Sequence, residues 1–214
     1  MPVNDRMDKI VCLGSNYLAH AEKFSKIVPE KPVIFIKPPS VMKSAESNGT
    51  TLTLPFPRGA GKVHPECEIV LKVKKRGYQL TEENFVIEAV TIGLDVTLRD
   101  IQQQLKEKSY PWTISKVFPG SAVVGPWLSV AGLPDYLERR FSFSKDKNIL
   151  QSGKGKDMRL SPSEALQYIN QFFPLCSGDL VFTGTPGLVT SVEPTHPYRV
   201  RWEKLLDYTV VWTD

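Results

Sequence analysis

The stretch HPECEIVLKV, residues 64–73, places two carboxylates one residue apart at the start of a run that otherwise predicts a buried β-strand. Side chains alternate between the two faces of a strand, so Glu66 and Glu68 lie on one face and Cys67 on the other. Two like charges about 6–7 Å apart on a partly buried surface raise each other's pKa unless something positive lies between them. The stretch therefore predicts a bound cation or a basic side chain here, although two acids facing only water also fit.

A third carboxylate, Asp95, lies in GLDVTLRDIQ, residues 93–102, after an apolar run and before a predicted helix. Acidic ligands are often presented at such a position on the rim of a sheet. Three hard oxygen donors without a His or Cys cluster suit Mg²⁺ or Mn²⁺ better than zinc, and they leave coordination positions for water and a chelating substrate. Asp100 competes with Asp95 for this role, because it equally fits an acid in the first turn of a helix.

The bulk composition excludes several classes of protein. The length of 214 residues predicts one domain, residues 1–214. The 27 basic and 23 acidic residues are interleaved, and the basic clusters at 72–76 and 154–156 lack aromatic neighbours, so we expect no nucleic-acid partner. Three widely spaced cysteines argue against a disulfide framework and fit a reducing compartment. No run of about 18 apolar residues occurs, so we expect a soluble, cytoplasmic protein without a membrane partner.

Prolines and glycines spread along the chain cut it into short apolar runs, which favours a β-rich α+β fold. The strongest predicted helix covers residues 161–173, where Ser161, Pro162 and Glu164 form a capping box. A second helix is predicted at 98–108 with Thr97 as its N-cap, a short third at 17–25, and a hairpin loop at 145–148. The predicted strands cover residues 9–13, 33–37, 68–73, 86–94, 122–128, 141–144, 180–183, 198–202 and 207–212.

Six stretches, in order between residues 9 and 187, together resemble the fumarylacetoacetate hydrolase superfamily, in particular its short acylpyruvase and oxaloacetate decarboxylase or tautomerase branch. They are LGSNYLAHAEK, PVIFIKPPS, HPECEIVLKV, GLDVTLRDIQ, PWTISKVF followed by GPW, and GDLVFTGTP. The resemblance implies a mixed β-sandwich roll with a few short helices, a metal at the open end of the strands, and a homodimer.

The resemblance also implies a set of site residues. It makes Glu66, Glu68 and Asp95 the ligands of Mg²⁺ or Mn²⁺, the same three that the residues themselves suggest. It places a general base, His20, on a lid segment at residues 15–28 that closes over bound substrate. The other implied members are Lys116 and Gln102 in the active site, Thr183, Gly184 and Thr185 as donors to the substrate, and Lys37, which fits either an active-site lysine or an edge charge.

Two positions depart from the family pattern. Related acylpyruvases commonly have Arg at the position of Ser15 and, at that of Lys23, a Glu that pairs with the lid His to activate water. Glu22 lies one residue earlier, rotated about 100° on a helix, and replaces that Glu only if the lid shifts. Hydrolysis needs the activated water, whereas decarboxylation or tautomerisation needs a stabilised enolate and a proton shuttle.

The resemblance therefore implies a metal-dependent enzyme that hydrolyses a C–C bond of a small 2-keto acid or 1,3-dicarbonyl compound such as an acylpyruvate. The alternatives are an oxaloacetate decarboxylase, a keto–enol tautomerase, or a metal-binding relative without activity.

Overall fold

The computed structural model describes residues 7–17, 29–75, 85–187 and 189–214. The third predicted helix and most of the lid segment, with His20, Glu22 and Lys23, lie outside the described residues. No helix in the described ranges is long and apolar enough to cross a membrane.

The larger of two sheets carries the motifs singled out above. Its eight strands are β1 (Ile10–Gly14), β2 (Val33–Lys37), β3 (Met42–Ser44), β5 (Val63–Lys75), β6 (Phe85–Leu98), β7 (Ala122–Val124), β8 (Leu128–Ser129) and β11 (Leu180–Phe182). They follow the order β2-β1-β11-β5-β6-β7-β3, and β8 pairs with β6. The β1–β11 and β3–β7 pairs are parallel and the rest are antiparallel. The long β5–β6 hairpin is its centre.

The second sheet supplies the other half of the core. Its strands are β4 (Thr51–Pro55), β9 (Arg140–Lys145), β10 (Asn148–Lys154), β12 (Pro197–Trp202) and β13 (Leu206–Thr213), in the order β10-β9-β12-β13-β4. Every second residue of β12 and β13 is buried, so one face packs inward. The buried Trp202 and Trp212 belong to the same apolar cluster as Ile69 and Leu71 of β5. The two sheets therefore share one apolar cluster between them, and a second, smaller cluster includes Val70 and Phe182 of the larger sheet, in agreement with the predicted β-rich α+β fold.

The described residues include two α-helices, α1 (Arg99–Glu107) and α2 (Pro162–Asn170), and five short 3₁₀ turns. The predicted capping box is confirmed: the Ser161 hydroxyl accepts from the Glu164 amide, and the Glu164 carboxylate accepts from the Ser161 amide at 2.8 Å. The predicted cap at Thr97 is wrong. The backbone of Thr97 pairs with His64 inside the sheet, so α1 begins one residue later, after Leu98, without a side-chain cap.

The central hairpin is longer than its apolar pattern suggested. β5 begins at Val63 rather than at residue 68, and β6 ends at Leu98 rather than at residue 94. Asp95 therefore lies within β6, opposite Glu66, and not beyond the end of the strand. The pattern failed because the polar residues there are held in the sheet by backbone pairing. The strands β3, β4 and β8 carried no separate prediction, whereas β9 and β10 flank the predicted hairpin loop.

Gly93 of β6 offers a test of packing between the sheet strands. A Cβ added there would lie 2.6 Å from the Val123 carbonyl oxygen, 2.6 Å from Val70 Cγ2 and 2.9 Å from Phe182 Cε1. We expect Gly93→Ala to lower the free energy of unfolding by about 1–3 kcal/mol, because the site has no room to accept a methyl group. Thermal and urea denaturation measure the loss. Gly132→Ala is the control, since nothing lies within 4 Å of its added Cβ; equal stability of both variants would contradict the packing.

Candidate active site

Three carboxylates meet on one face of the β5–β6 hairpin. Glu66 and Glu68 project from alternate positions of β5, and Asp95 is the register partner of Glu66 on β6. One oxygen from each lies within 4.8 Å of the others. Glu68 and Asp95 are buried, while Glu66 is partly open to solvent. The strand alternation therefore converts a sequence spacing into a compact cluster of hard oxygen donors.

Two lysines enter this cluster from other elements. Lys116 follows a 3₁₀ turn at Thr113–Ser115, and its Nζ lies 2.7 Å from Glu66 Oε2 and 2.6 Å from Asp95 Oδ2. Lys37, the last residue of β2, is fully buried with its Nζ 2.7 Å from Asp95 Oδ1. The position of Lys37 fits the active-site alternative and excludes an edge charge.

The lysines set the ionisation of Asp95. Burial alone would raise the pKa of Asp95, but the ammonium groups of Lys116 and Lys37 hold it below its usual value. Burial would lower the pKa of Lys116, yet the adjacent carboxylates of Asp95 and Glu66 raise it above its usual value. Both groups are therefore charged at neutral pH.

Glu68 is the carboxylate without a lysine beside it. Burial raises its pKa well above the usual value, and the charges of Asp95 and Glu66 raise it further. The Gly184 amide, which donates to Glu68 Oε2 at 2.7 Å, opposes this shift only in part. A cation on Glu68 would remove the penalty.

The cluster as a whole fits a divalent metal. Its three carboxylates share two buried ammonium groups, and Glu68 contacts neither of them. Although Lys37 lies near Asp95 Oδ1, it does not approach in hydrogen-bond geometry, so this buried oxygen retains an unused lone pair. Hard oxygen donors of this kind suit Mg²⁺ or Mn²⁺.

The alternative ligand, Asp100, lies elsewhere. Its Oδ2 accepts from the Lys62 amide at 3.1 Å, and Asp95 is the aspartate that joins the glutamates. Gln102, on α1, is buried beside the cluster, where its Oε1 accepts from Arg99 Nη1 at 2.8 Å. The same nitrogen of Arg99 lies 4.0 Å from Glu66 Oε1. Gln102 thus places a third basic side chain at the open side of the cluster.

The TGTP loop is brought to the cluster, but its donors serve protein acceptors. The hydroxyl of Thr183 donates to the Ile69 carbonyl at 2.8 Å, and that of Thr185 donates to Gln151 Oε1 at 3.1 Å. The Gly184 amide is used by Glu68. These bonds stabilise a buried turn. The predicted donation by Thr183, Gly184 and Thr185 to a substrate therefore requires each donor to leave its protein acceptor and bond to the substrate instead.

Three residues with buried polar atoms carried no prediction of a role in a site. The buried atoms Tyr17 Oη, His64 Nδ1 and Thr97 Oγ1 have no hydrogen-bond partner among the described residues. His64 and Thr97 are register partners, the next pair along the hairpin on the face that carries Glu66. Period-two alternation along β5 was a signal that could have identified His64, since it lies on the face of Glu66. Tyr17 lies within the motif LGSNYLAHAEK, but no pattern there distinguishes it from its neighbours.

A cleft of about 490 Å³ opens beside Lys116. Phe35 and Trp112 line it and stack edge to face with ring centroids 5.1 Å apart. Lys116, which contacts Glu66 and Asp95, also lines the cleft, and its Nζ lies 4.9 Å from the centre of the Phe35 ring. A small ligand has space here next to the charged cluster.

This geometry agrees with comparisons to known proteins. The fumarylacetoacetate (FAA) hydrolase C-terminal family model matches residues 9–206. The chain belongs to this family. It is 33% identical over 183 residues to the oxaloacetate tautomerase YcgM of Escherichia coli, covering 84% of the chain and 81% of the relative. It is 32% identical over 188 residues to an oxaloacetate decarboxylase, mitochondrial, of Dictyostelium discoideum, covering 87% and 84%.

A solved structure confirms the fold. The crystal structure of fumarylpyruvate hydrolase from Pseudomonas aeruginosa in complex with Mn²⁺ and pyruvate superposes with a TM-score of 0.86 at 30% identity. The match covers 100% of this chain and 94% of that one. The mixed β-sandwich roll implied by the sequence motifs is therefore confirmed.

The burial of Glu68 yields a prediction. In EDTA-treated protein at neutral pH, we expect Glu68→Gln to raise the melting temperature, because the amide removes the free-energy cost of either burying an ionised carboxylate beside two others or protonating it. Each kcal/mol gained corresponds to roughly 2–4 °C for a protein of this size. We also expect Mn²⁺ to raise the melting temperature of the wild type and not that of the variant.

Differential scanning calorimetry with and without Mn²⁺ measures both effects. The control is Glu107→Gln, an exposed change at the end of α1. A lower melting temperature for Glu68→Gln in EDTA, or an unchanged response to Mn²⁺, would contradict this account.

Proposed function

We propose that the chain is a divalent-metal-dependent enzyme that acts on small 2-keto acids or 1,3-dicarbonyl compounds by stabilising an enolate. The observation that carries this proposal is the cluster of Glu66, Glu68 and Asp95, with oxygens within 4.8 Å of one another and Lys116 bonded to two of the three. If the cluster were only a structural salt bridge, it would not need Glu68, a buried carboxylate that contacts no basic side chain among the described residues.

In this proposal Glu66, Glu68 and Asp95 hold Mg²⁺ or Mn²⁺. When bound, the metal supplies Lewis acidity to the carboxylate and carbonyl oxygens of a chelating keto acid. Support for the ligand class comes from the donor set and from the neighbour of known structure that was solved with Mn²⁺ and pyruvate.

Lys116 and Lys37 have different tasks. The carboxylates beside Lys116 keep its ammonium charged, so it offers fixed positive charge where an enolate oxygen becomes negative. Lys37 is held between the Ser121 carbonyl, at 2.7 Å, and Asp95, and it keeps that carboxylate ionised. Neither task requires the lysine to lose its proton. His20 is the proposed proton carrier, as the resemblance implies.

The step that produces the enolate separates two candidates. The first is C–C bond hydrolysis of an acylpyruvate, the activity in the name of the fumarylpyruvate hydrolase neighbour. The second is tautomerisation or decarboxylation of oxaloacetate, the activities named for relatives 33% and 32% identical. Lys23, in place of the Glu that would activate water, favours the second.

Assembly and location stay predictions. We propose a homodimer in the cytoplasm; a relative of Arabidopsis thaliana is named mitochondrial, so location varies within the family. Size-exclusion chromatography with light scattering tests the first and imaging of a tagged chain tests the second.

Substrate assays test the proposed function. We expect turnover of acetylpyruvate, fumarylpyruvate or oxaloacetate that depends on Mg²⁺ or Mn²⁺ and disappears in EDTA. Release of pyruvate with acetate from acetylpyruvate, or with fumarate from fumarylpyruvate, reports hydrolysis. Release of CO₂ with pyruvate from oxaloacetate reports decarboxylation, and loss of enol absorbance without any of these products reports tautomerisation. A folded protein that binds Mn²⁺ but turns over none of these compounds would favour the relative without activity.

Removing the Lys116 ammonium should lower kcat/KM more than it weakens metal binding. We expect Lys116→Met to lower kcat/KM by roughly 10²–10³-fold at saturating Mg²⁺, since a fixed positive charge at the enolate oxygen is lost. Lys147→Met is the control, because Lys147 is exposed in the hairpin loop. Circular dichroism verifies folding; a folded Lys116→Met variant with wild-type kcat/KM would remove Lys116 from the mechanism.

A further inference from the structure

Gln151 is a buried amide that joins the second sheet to the carboxylate strand. It lies on β10, directly after a β-bulge between Ile149 and Gln151 that shifts the pairing with β9. Bulges redirect the side chains that follow them. Only 3% of Gln151 is exposed, and its side chain reaches across the core to β5 of the other sheet.

The amide binds the backbone on both sides of Glu66. Gln151 Oε1 accepts from the Cys67 amide at 2.9 Å, and Nε2 donates to the Pro65 carbonyl at 2.6 Å. At this level β5 lacks a neighbouring strand on its second edge, because β11 pairs with β5 only opposite residues 70–72. The carboxamide therefore replaces the peptide group of a missing strand, and it fixes the two peptide planes that set the direction of Glu66.

The same amide also holds the loop that contacts Glu68. The Thr185 hydroxyl donates to Gln151 Oε1 at 3.1 Å, and the preceding residue, Gly184, donates its amide to Glu68 Oε2 at 2.7 Å. Pro186 of this loop packs so closely on β10 that a Cβ on Gly153 would lie 2.3 Å from Pro186 Cγ. One side chain thus connects the backbone around Glu66 with the turn that binds Glu68.

We propose that Gln151 is a positioning residue of the metal site, which sets Glu66 and Glu68 in place for the ion without touching it; this inference rests on the proposed function. A glutamine is required because the contact needs a donor and an acceptor on one planar group. A carboxylate there would face the Pro65 carbonyl without a proton and would add a fourth negative charge to the site. Groups that orient metal ligands in this way typically change affinity by 10–100-fold.

Mn²⁺ titration of the full chain, by calorimetry and by electron paramagnetic resonance of free Mn²⁺, tests the proposal without substrate. We expect Gln151→Met, which keeps the volume and removes all three hydrogen bonds, to weaken Mn²⁺ binding about 10–100-fold. Thr185→Val removes only the bond from the loop and should produce a smaller loss. It also serves if Gln151→Met does not fold.

The matched control is Asp179→Asn. Asp179 is also fully buried and accepts backbone amides, those of Asp8, Lys9 and Cys176, but at the opposite end of β11. We expect this variant to melt at a lower temperature and to bind Mn²⁺ with wild-type affinity. Lower melting temperature without a change in Mn²⁺ affinity for both Gln151→Met and Thr185→Val would overturn the positioning role. Equal weakening by Asp179→Asn would overturn it too, and a wild type that binds no Mn²⁺ would overturn the metal site itself.

Discussion

The antiparallel pairing of β5 with β6 is the constraint on which the site depends. It places Glu66 directly opposite Asp95, so two like charges lie side by side on adjacent strands, next to an apolar core. The arrangement is stable only because Lys116 bonds to both carboxylates and Lys37 pairs with Asp95 from the other side. A one-residue slip of the register would turn the acids into the core, which the core cannot accept.

Sequence reasoning identified the acids because the relevant rules are local. Alternation along a strand is enough to place Glu66 and Glu68 on one face, and the lack of His or Cys neighbours is enough to suggest a hard cation. The strand ends were harder to predict. Asp95 and Thr97 have the composition of a strand end and a helix cap, yet backbone pairing with β5 carries both into the sheet. Tertiary pairing overrode local preference there.

Other parts of the site have no local signal. Lys37 ends a strand in a motif that fits an exposed edge equally well, and only the position of β2 beside β1 directs it into the cluster. Gln151 lies 84 residues from Cys67 in sequence, on the opposite sheet, in a segment that reads as an ordinary hairpin strand. Its contact depends on a bulge, on the packing of two sheets and on the early end of β11. Such a residue is recognised only from a structure.

The distribution of charge explains why the three carboxylates are not equivalent. Asp95 has two ammonium groups, Glu66 has one, and buried Glu68 has only a backbone amide. In a medium of low polarity a buried carboxylate without a counter-ion costs free energy. The Gly184 amide stabilises Glu68 by a hydrogen bond, and the next residue of that loop, Thr185, donates to Gln151. The least neutralised carboxylate is therefore the one that gains most from a divalent ion. The proposed metal site and the hydrogen bonds that hold the loop on Glu68 thus answer the same need for a partner to this carboxylate.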